Sequence, residues 1–119
     1  MDSECTVAQL EKLAADFCRE RDWDQYHNPK DLAIGIASEA GELLEIFRFK
    51  DPQEFKPMQD SPHYEEIREE LADVLYFVLR FAQTNNIDLE DALRDKLRKN
   101  AEKYPVEKCR GKNLKYDEL

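Results

Sequence analysis

The sequence predicts an all-α protein built as a four-helix bundle. Apolar residues recur at helical spacing almost throughout, and no stretch alternates in the manner of a strand. The three glycines and five prolines fall mainly where the helical period breaks. A chain of 119 residues has room for one domain with its own core.

The first helix is expected from Thr6, which with Gln9 has capping-box spacing, to about Arg21, with Val7, Leu10, Leu13, Ala14 and Phe17 inward. Asp22 to Asn28 is a loop. Asn28 as N-cap, Pro29 at the first helical position and Asp31 in the first turn open a second helix that runs to about Phe49. Lys50 to Asp60 contains Pro52 and Pro57 and no sustained period, so it is a long connection, either a mobile lid or a crossover. Ser61 and Pro62 start a third helix to about Thr84, where Asn85 and Asn86 break it. Asp88 caps a fourth that ends near Tyr104, because Pro105 disfavours helix at the residue before it. The helical domain is expected over 1–105. The tail, 106–119, contains Gly111 and little apolar content, and is expected to be disordered or ordered against a partner subunit.

Charge narrows the function classes. Lys plus Arg number 18 against 27 Asp plus Glu, a formal net charge of −9, which disfavours binding to a nucleic-acid polymer. The charge is also unevenly spread. Arg94 to Lys115 holds nine of the cations against three acids, +6 in all, and leaves −15 on the remainder. Cys5, Cys18 and Cys109 are odd in number and show neither a C-x-x-C pair nor metal-like spacing, so they read as free thiols of a cytoplasmic protein. The start of the chain lacks a basic and then apolar leader, and the longest apolar run, Val74 to Leu79, is too short to span a bilayer. Neither secretion nor a membrane partner is expected.

Acidic residues intrude on the predicted apolar faces. At about 100° per residue, the second helix gathers Ile46, Leu32, Leu43, Ile36 and Phe47 in one arc, and Glu39 falls between Ile46 and Leu32. Glu42 sits at the arc's edge, one turn along, and Glu45 lies further toward solvent. On the third helix Glu70 falls between Phe77 and Phe81, with Asp73 just beyond the edge. Two matched pairs at i and i+3 thus lie on two successive helices. Carboxylates in such places need a cation or a basic partner, and Arg68, Arg80 and Lys96 are the basic candidates. With only oxygen ligands, Mg²⁺ or Mn²⁺ is the expected metal. The fourth helix places Lys96 and Asn100 inside its apolar stripe, with Lys103 on the flank. Acids on two helices and bases on a third suit a ligand both anionic and metal-chelated, such as a nucleoside triphosphate or pyrophosphate. Trp23, Tyr26 and His27 in the first loop are the kind of side chains on which a nucleobase stacks.

Ser38-Glu39-Ala40-Gly41-Glu42-Leu43 and Glu69-Glu70-Leu71-Ala72-Asp73-Val74 resemble the E-x-x-E and E-x-x-D pairs of the MazG-like all-α nucleoside triphosphate pyrophosphohydrolases. Arg21 to Pro29 and Lys99 to Pro105 resemble the family's short single-domain branch, which includes the dCTP pyrophosphatases; the likeness covers about residues 7–105. The resemblance implies Mg²⁺-dependent cleavage between the α and β phosphates of (deoxy)nucleoside triphosphates, dCTP-like or modified, to a monophosphate and pyrophosphate. Carried over by position, it makes Glu39, Glu42, Glu70 and Asp73 the catalytic metal ligands. It assigns substrate contacts to Trp23, His27, Phe49, Lys50, Phe77, Lys96, Asn100, Lys103 and Tyr104. It also implies a homo-oligomer, a tetramer arranged as a dimer of dimers. One departure is that close relatives often carry Trp before the lysine where this chain has Phe49 before Lys50. The competing expectation is a non-enzymatic acidic helical interaction module, which explains the composition but gives the four intruding carboxylates no role.

Overall fold

The computed structural model describes residues 1–119, all helix, turn and irregular chain, with no strand. The helices are α1 (Val7–Glu20), α2 (Pro29–Phe47), α3 (Tyr64–Thr84), α4 (Leu89–Lys103) and the short α5 (Val106–Cys109). They belong to two compact units, Met1–Asn86 and Ile87–Leu119. None is long and apolar enough to cross a membrane.

Within the first unit α3 packs along α2 and α1. Local chemistry sets the helix ends as expected. Thr6 Oγ1 accepts from the Gln9 amide at 3.1 Å while Gln9 Oε1 accepts from the Thr6 amide at 2.7 Å, so α1 opens on a complete capping box. Asn28 Oδ1 accepts from the Asp31 amide at 2.9 Å, ahead of Pro29 at the first position of α2. The start of α3 differs from expectation by a few residues. Ser61 Oγ accepts from the His63 amide and the Ser61 carbonyl from the Tyr64 amide, so 61–63 form a turn and the helix begins at Tyr64. At its other end Asn85 Nδ2 donates to the Phe81 carbonyl, and Asn86 takes the left-handed conformation at φ 55° that ends the helix.

The connection after α2 is a pinned crossover. It forms two short 3₁₀ turns, Pro52–Phe55 and Met58–Asp60, and drives Phe55 into the core beside Ile46 and Ile67, with its ring centroid 4.6 Å from that of Phe47. A second buried set consists of Ala14 and Cys18 on α1, Leu32 on α2, and Leu79 and Ala82 on α3. Here the inward face of α1 departs from expectation. Its buried positions are the small Ala14 and Cys18, whereas Leu13 is 66% exposed and Val7 and Phe17 are also exposed. One neighbouring helix, α3, covers only a narrow stripe of α1, and close approach there favours small side chains. Ile34 and Leu44 on α2, and Leu71 and Leu75 on α3, are exposed as well.

The second unit has its own capping signals: Asp88 Oδ1 accepts from the Asp91 amide at 2.9 Å and α4 stops at Lys103 before Pro105. The tail is ordered within this unit. α5 follows Pro105, and the Tyr116 ring stands edge-on to that of Tyr104, 6.2 Å away.

Candidate functional site

α2 and α3 lie side by side over much of their length, and each delivers its acids to the seam. One carboxylate oxygen from each of Glu39, Glu70 and Asp73 lies within 4.8 Å of the other two. Glu42, one turn from Glu39, interacts with both Glu39 and Glu70. The four predicted acids therefore form one cluster, while Glu45 turns outward to Arg48 at 3.4 Å.

Two of the three basic candidates, Arg68 and Arg80, pair elsewhere: Arg68 with Glu65 at 2.9 Å and Arg80 with Asp24 at 2.9 Å. Glu39 Oε2 and Glu70 Oε2 are buried without a hydrogen-bond partner. Buried polar atoms are almost always partnered, and an ionised acceptor in this position repels its neighbours. The electrostatics register that strain. Burial, then Glu42 and Asp73, raises the Glu39 carboxyl above its ordinary value, and burial, then Glu42 and Glu39, pushes Glu70 up to about 7. Orphaned oxygens with no nitrogen or sulfur ligand among them fit a hard divalent cation.

An open cavity of about 490 Å³ adjoins the cluster, lined by Glu39 and Asp73 together with Phe17, Trp23, Ala72, Tyr76 and Phe77. The size is that of a small-molecule pocket. Its aromatic walls brace each other edge to face: Phe17 on Trp23 at 5.6 Å and Tyr76 on Phe77 at 5.1 Å. The Phe77 ring lies so close to α2 that a Cβ on Gly35 would stand 2.6 Å from it. Tyr76 is fixed from the other side, its hydroxyl 2.9 Å from the Sγ of the fully buried Cys18.

Of the predicted substrate residues, the structure brings Trp23 and Phe77 to this cavity. His27 does not line it; its Nδ1 accepts a hydrogen bond from Arg80 Nε at 3.0 Å. Phe49 is 92% exposed just past the end of α2, at φ 64°, and Lys50 beside it is also exposed. Lys96, Asn100, Lys103 and Tyr104 belong to the second unit. There Lys96 and Lys103 are exposed, Lys103 Nζ lies 5.1 Å from the Tyr116 ring, and the Tyr104 hydroxyl accepts from the Tyr116 amide. The predicted set lacked Phe17, Gly35, Tyr76 and Arg80. Tyr76 carried one legible signal, as a polar-tipped aromatic beside Phe77.

His27 supplies a test by pH. Burial, then the Arg80 charge, lowers its pKa from the ordinary 6.5. The unfolded chain thus takes up the proton more readily. The stability tied to this shift is complete above pH 6.5 and disappears as the pH falls through the lowered value. Urea unfolding between pH 7.5 and 5 should show the wild-type chain losing stability relative to His27→Gln, whose amide oxygen can still accept from Arg80. A difference that does not change with pH would remove this linkage.

Comparison with known proteins identifies the family. The family model described as MazG-like matches residues 34–119. The chain is 37% identical to dCTP pyrophosphatase 1 of Bos taurus over 118 residues, 98% of this chain and 70% of the bovine protein. It is also 37% identical to that of Homo sapiens over 117 residues, covering 98% and 69%. The crystal structure of a pyrophosphatase from Archaeoglobus fulgidus matches with a TM-score of 0.75 at 36% identity, over 82% of this chain and 91% of that one. With its paired acids on adjacent helices and relatives similar along nearly its whole length, the chain is an enzyme of the MazG-like family.

Proposed function

We propose that the protein hydrolyses (deoxy)nucleoside triphosphates between the α and β phosphates, releasing a nucleoside monophosphate and pyrophosphate. The observation that carries this reading is the pair of buried, unpartnered carboxylate oxygens on Glu39 and Glu70, beside an aromatic cavity wide enough for a base. An acidic interaction module gives those oxygens no role.

In this reading Glu39, Glu42, Glu70 and Asp73 hold Mg²⁺, or Mn²⁺ in its place. The bound cation supplies neutralisation of phosphate charge and an activated water. Trp23 and Phe77 offer rings on which the face of a base can stack. The name of the relatives favours dCTP as substrate, within a class of dCTP-like or modified nucleotides. Lys96, Asn100, Lys103 and Tyr104 have the charge and hydrogen-bonding groups that phosphate and sugar oxygens take. The exposed Leu13, Ile34, Leu44 and Leu71 support a homo-oligomer, with a tetramer as the expected state and the cytoplasm as its setting. The test is pyrophosphate release from a panel of ribo-, deoxy- and base-modified nucleoside triphosphates with Mg²⁺. Release establishes the activity and ranks the bases, while silence across the panel from a folded oligomer defeats the reading.

Phe49 gives a second handle. A left-handed conformation costs a non-glycine residue about 1–2 kcal/mol, and strain of this kind collects at functional sites. Glycine would relieve it but adds about 0.5–1 kcal/mol of unfolded-state entropy, and the exposed ring has almost no burial to lose. Phe49→Gly should therefore melt no lower than the wild type, yet raise KM for the nucleotide. An unchanged KM would remove Phe49 from the substrate site.

A further inference from the structure

The loop that presents Trp23 has little apolar burial to hold it: Trp23 and Tyr26 are 41% and 63% exposed, and Asp22 turns the chain at φ 56°. The Trp23 amide donates to the Cys18 carbonyl at 3.0 Å and its ring leans on Phe17, which fixes the entry to the loop. Beyond Trp23, the side chain that ties the 24–27 segment to the helices is Arg80 of α3. Arg80 is 4% exposed, and its guanidinium reaches three partners: Nη2 to Asp24 Oδ1 at 2.9 Å, Nε to His27 Nδ1 at 3.0 Å, and Nη1 to Gln83 Oε1 at 2.7 Å. Gln83 passes the tie on, its Nε2 donating to the Glu11 carbonyl of α1 at 2.8 Å. One buried group thus joins both ends of the Asp24–Tyr26 turn to α3 and, through Gln83, to α1.

Stability does not explain the choice of arginine. Its ion-pair partner Asp24 is 57% exposed, and pairs open to solvent contribute only about 0–1 kcal/mol. What a fixed fork with directional donors adds is position. Arg80 does not line the aromatic cavity, so it acts on that cavity through the loop.

We propose that Arg80 is a positioning residue for the nucleotide base: by clamping Asp24 and His27 it holds Trp23 as one wall of the cavity beside Glu39 and Asp73. This rests on the nucleotide reading of that cavity. It predicts an effect on substrate affinity and not on the chemical step, since the acidic cluster has no contact with the clamp.

The experiment uses the full chain as wild type, Arg80→Lys, Arg80→Met, Trp23→Ala and the Arg80→Met/Trp23→Ala pair. It measures pyrophosphate release from dCTP with Mg²⁺ and the emission of Trp23, the one tryptophan in the sequence. Arg80→Met should shift that emission to the red and raise KM about tenfold with kcat within about twofold, the signature of lost binding rather than lost chemistry. Arg80→Lys, which keeps the charge but not the fork, should fall between it and the wild type. In the Trp23→Ala background Arg80→Met should add nothing. The proposal is overturned if Arg80→Met leaves emission and KM unchanged, if kcat falls in step with melting temperature, or if the KM penalty persists in full without Trp23. Should Arg80→Met not fold, Asp24→Ala and Arg80→Lys carry the same comparison. A wild-type chain that releases no pyrophosphate from dCTP or from any other nucleotide of the panel defeats the functional reading instead. The emission of Trp23 in the Arg80 variants then judges the clamp by itself: a shift upholds it, and none overturns it.

Discussion

Glu70→Gln is expected to lower pyrophosphate release at least about a hundredfold, beyond the loss that removing a mere outer-shell partner of a metal brings. The substitution keeps the size of the side chain and the α3 backbone, and removes one of the oxygens that converge with those of Glu39 and Asp73. Its sign on stability is the opposite. Without metal, Glu70 contributes a buried acceptor that nothing satisfies, next to carboxylates that repel it. A glutamine amide can donate to Glu39 or Glu42, so the metal-free variant should melt at or above the wild type. Mg²⁺ should raise the melting temperature of the wild type and leave the variant where it was, because only the native fold of the wild type carries the site. The paired result, higher intrinsic stability with lost activity and lost metal response, is what separates a functional carboxylate cluster from a structural one. A variant that is less stable and still active would overturn the assignment.

The parts of this molecule that sequence reading reached are those set by local chemistry. Thr6 with Gln9, Asn28 with Pro29, and Asp88 each fix a helix start through contacts three residues away, and all three stand where expected. The acids were legible for a related reason. An i, i+3 pair set against an apolar arc is visible in one helix at a time, and α2 and α3 repeat it. What escaped depends on which element covers which. Periodicity marks Leu13 and Phe17 as one apolar face but is silent on α3 covering only Ala14 and Cys18 beside them. Nor does it show that Phe55, in a segment without period, joins Ile46 and Ile67. The Arg80 clamp spans more than 50 residues of chain, and the contact of Cys18 with Tyr76 spans 58. Such pairs come into register only once three helices have packed.

Gly35→Ala makes the same point quantitatively and has the second large effect expected here. Within α2, away from any turn, alanine should gain about 1 kcal/mol over glycine from helix propensity alone. Against this, the new Cβ would lie 2.6 Å from Phe77 Cδ1 and Cε1 and 2.9 Å from Cγ, closer than carbon atoms approach. Turning the ring about its own axis leaves Cγ in place, so relief requires the whole side chain to swing away from α2. Overpacking of this kind costs about 1–3 kcal/mol, which outweighs the propensity gain and leaves a net loss of about 1 kcal/mol. For a chain of this size that lowers Tm by roughly 4 °C. The displaced ring goes into the cavity that Phe77 shares with Trp23, so KM for the nucleotide should rise about tenfold with kcat little changed. Phe77→Ala, which has no Cγ, separates the two contributions: the atoms that meet the new Cβ are then gone, so Gly35→Ala should raise the melting temperature in that background through its helix gain, whereas it lowers it in the wild type. Two single changes that simply add, or a Gly35→Ala chain that melts higher than the wild type with an unaltered KM, would mean that the close packing of Phe77 on α2 does not shape the cavity.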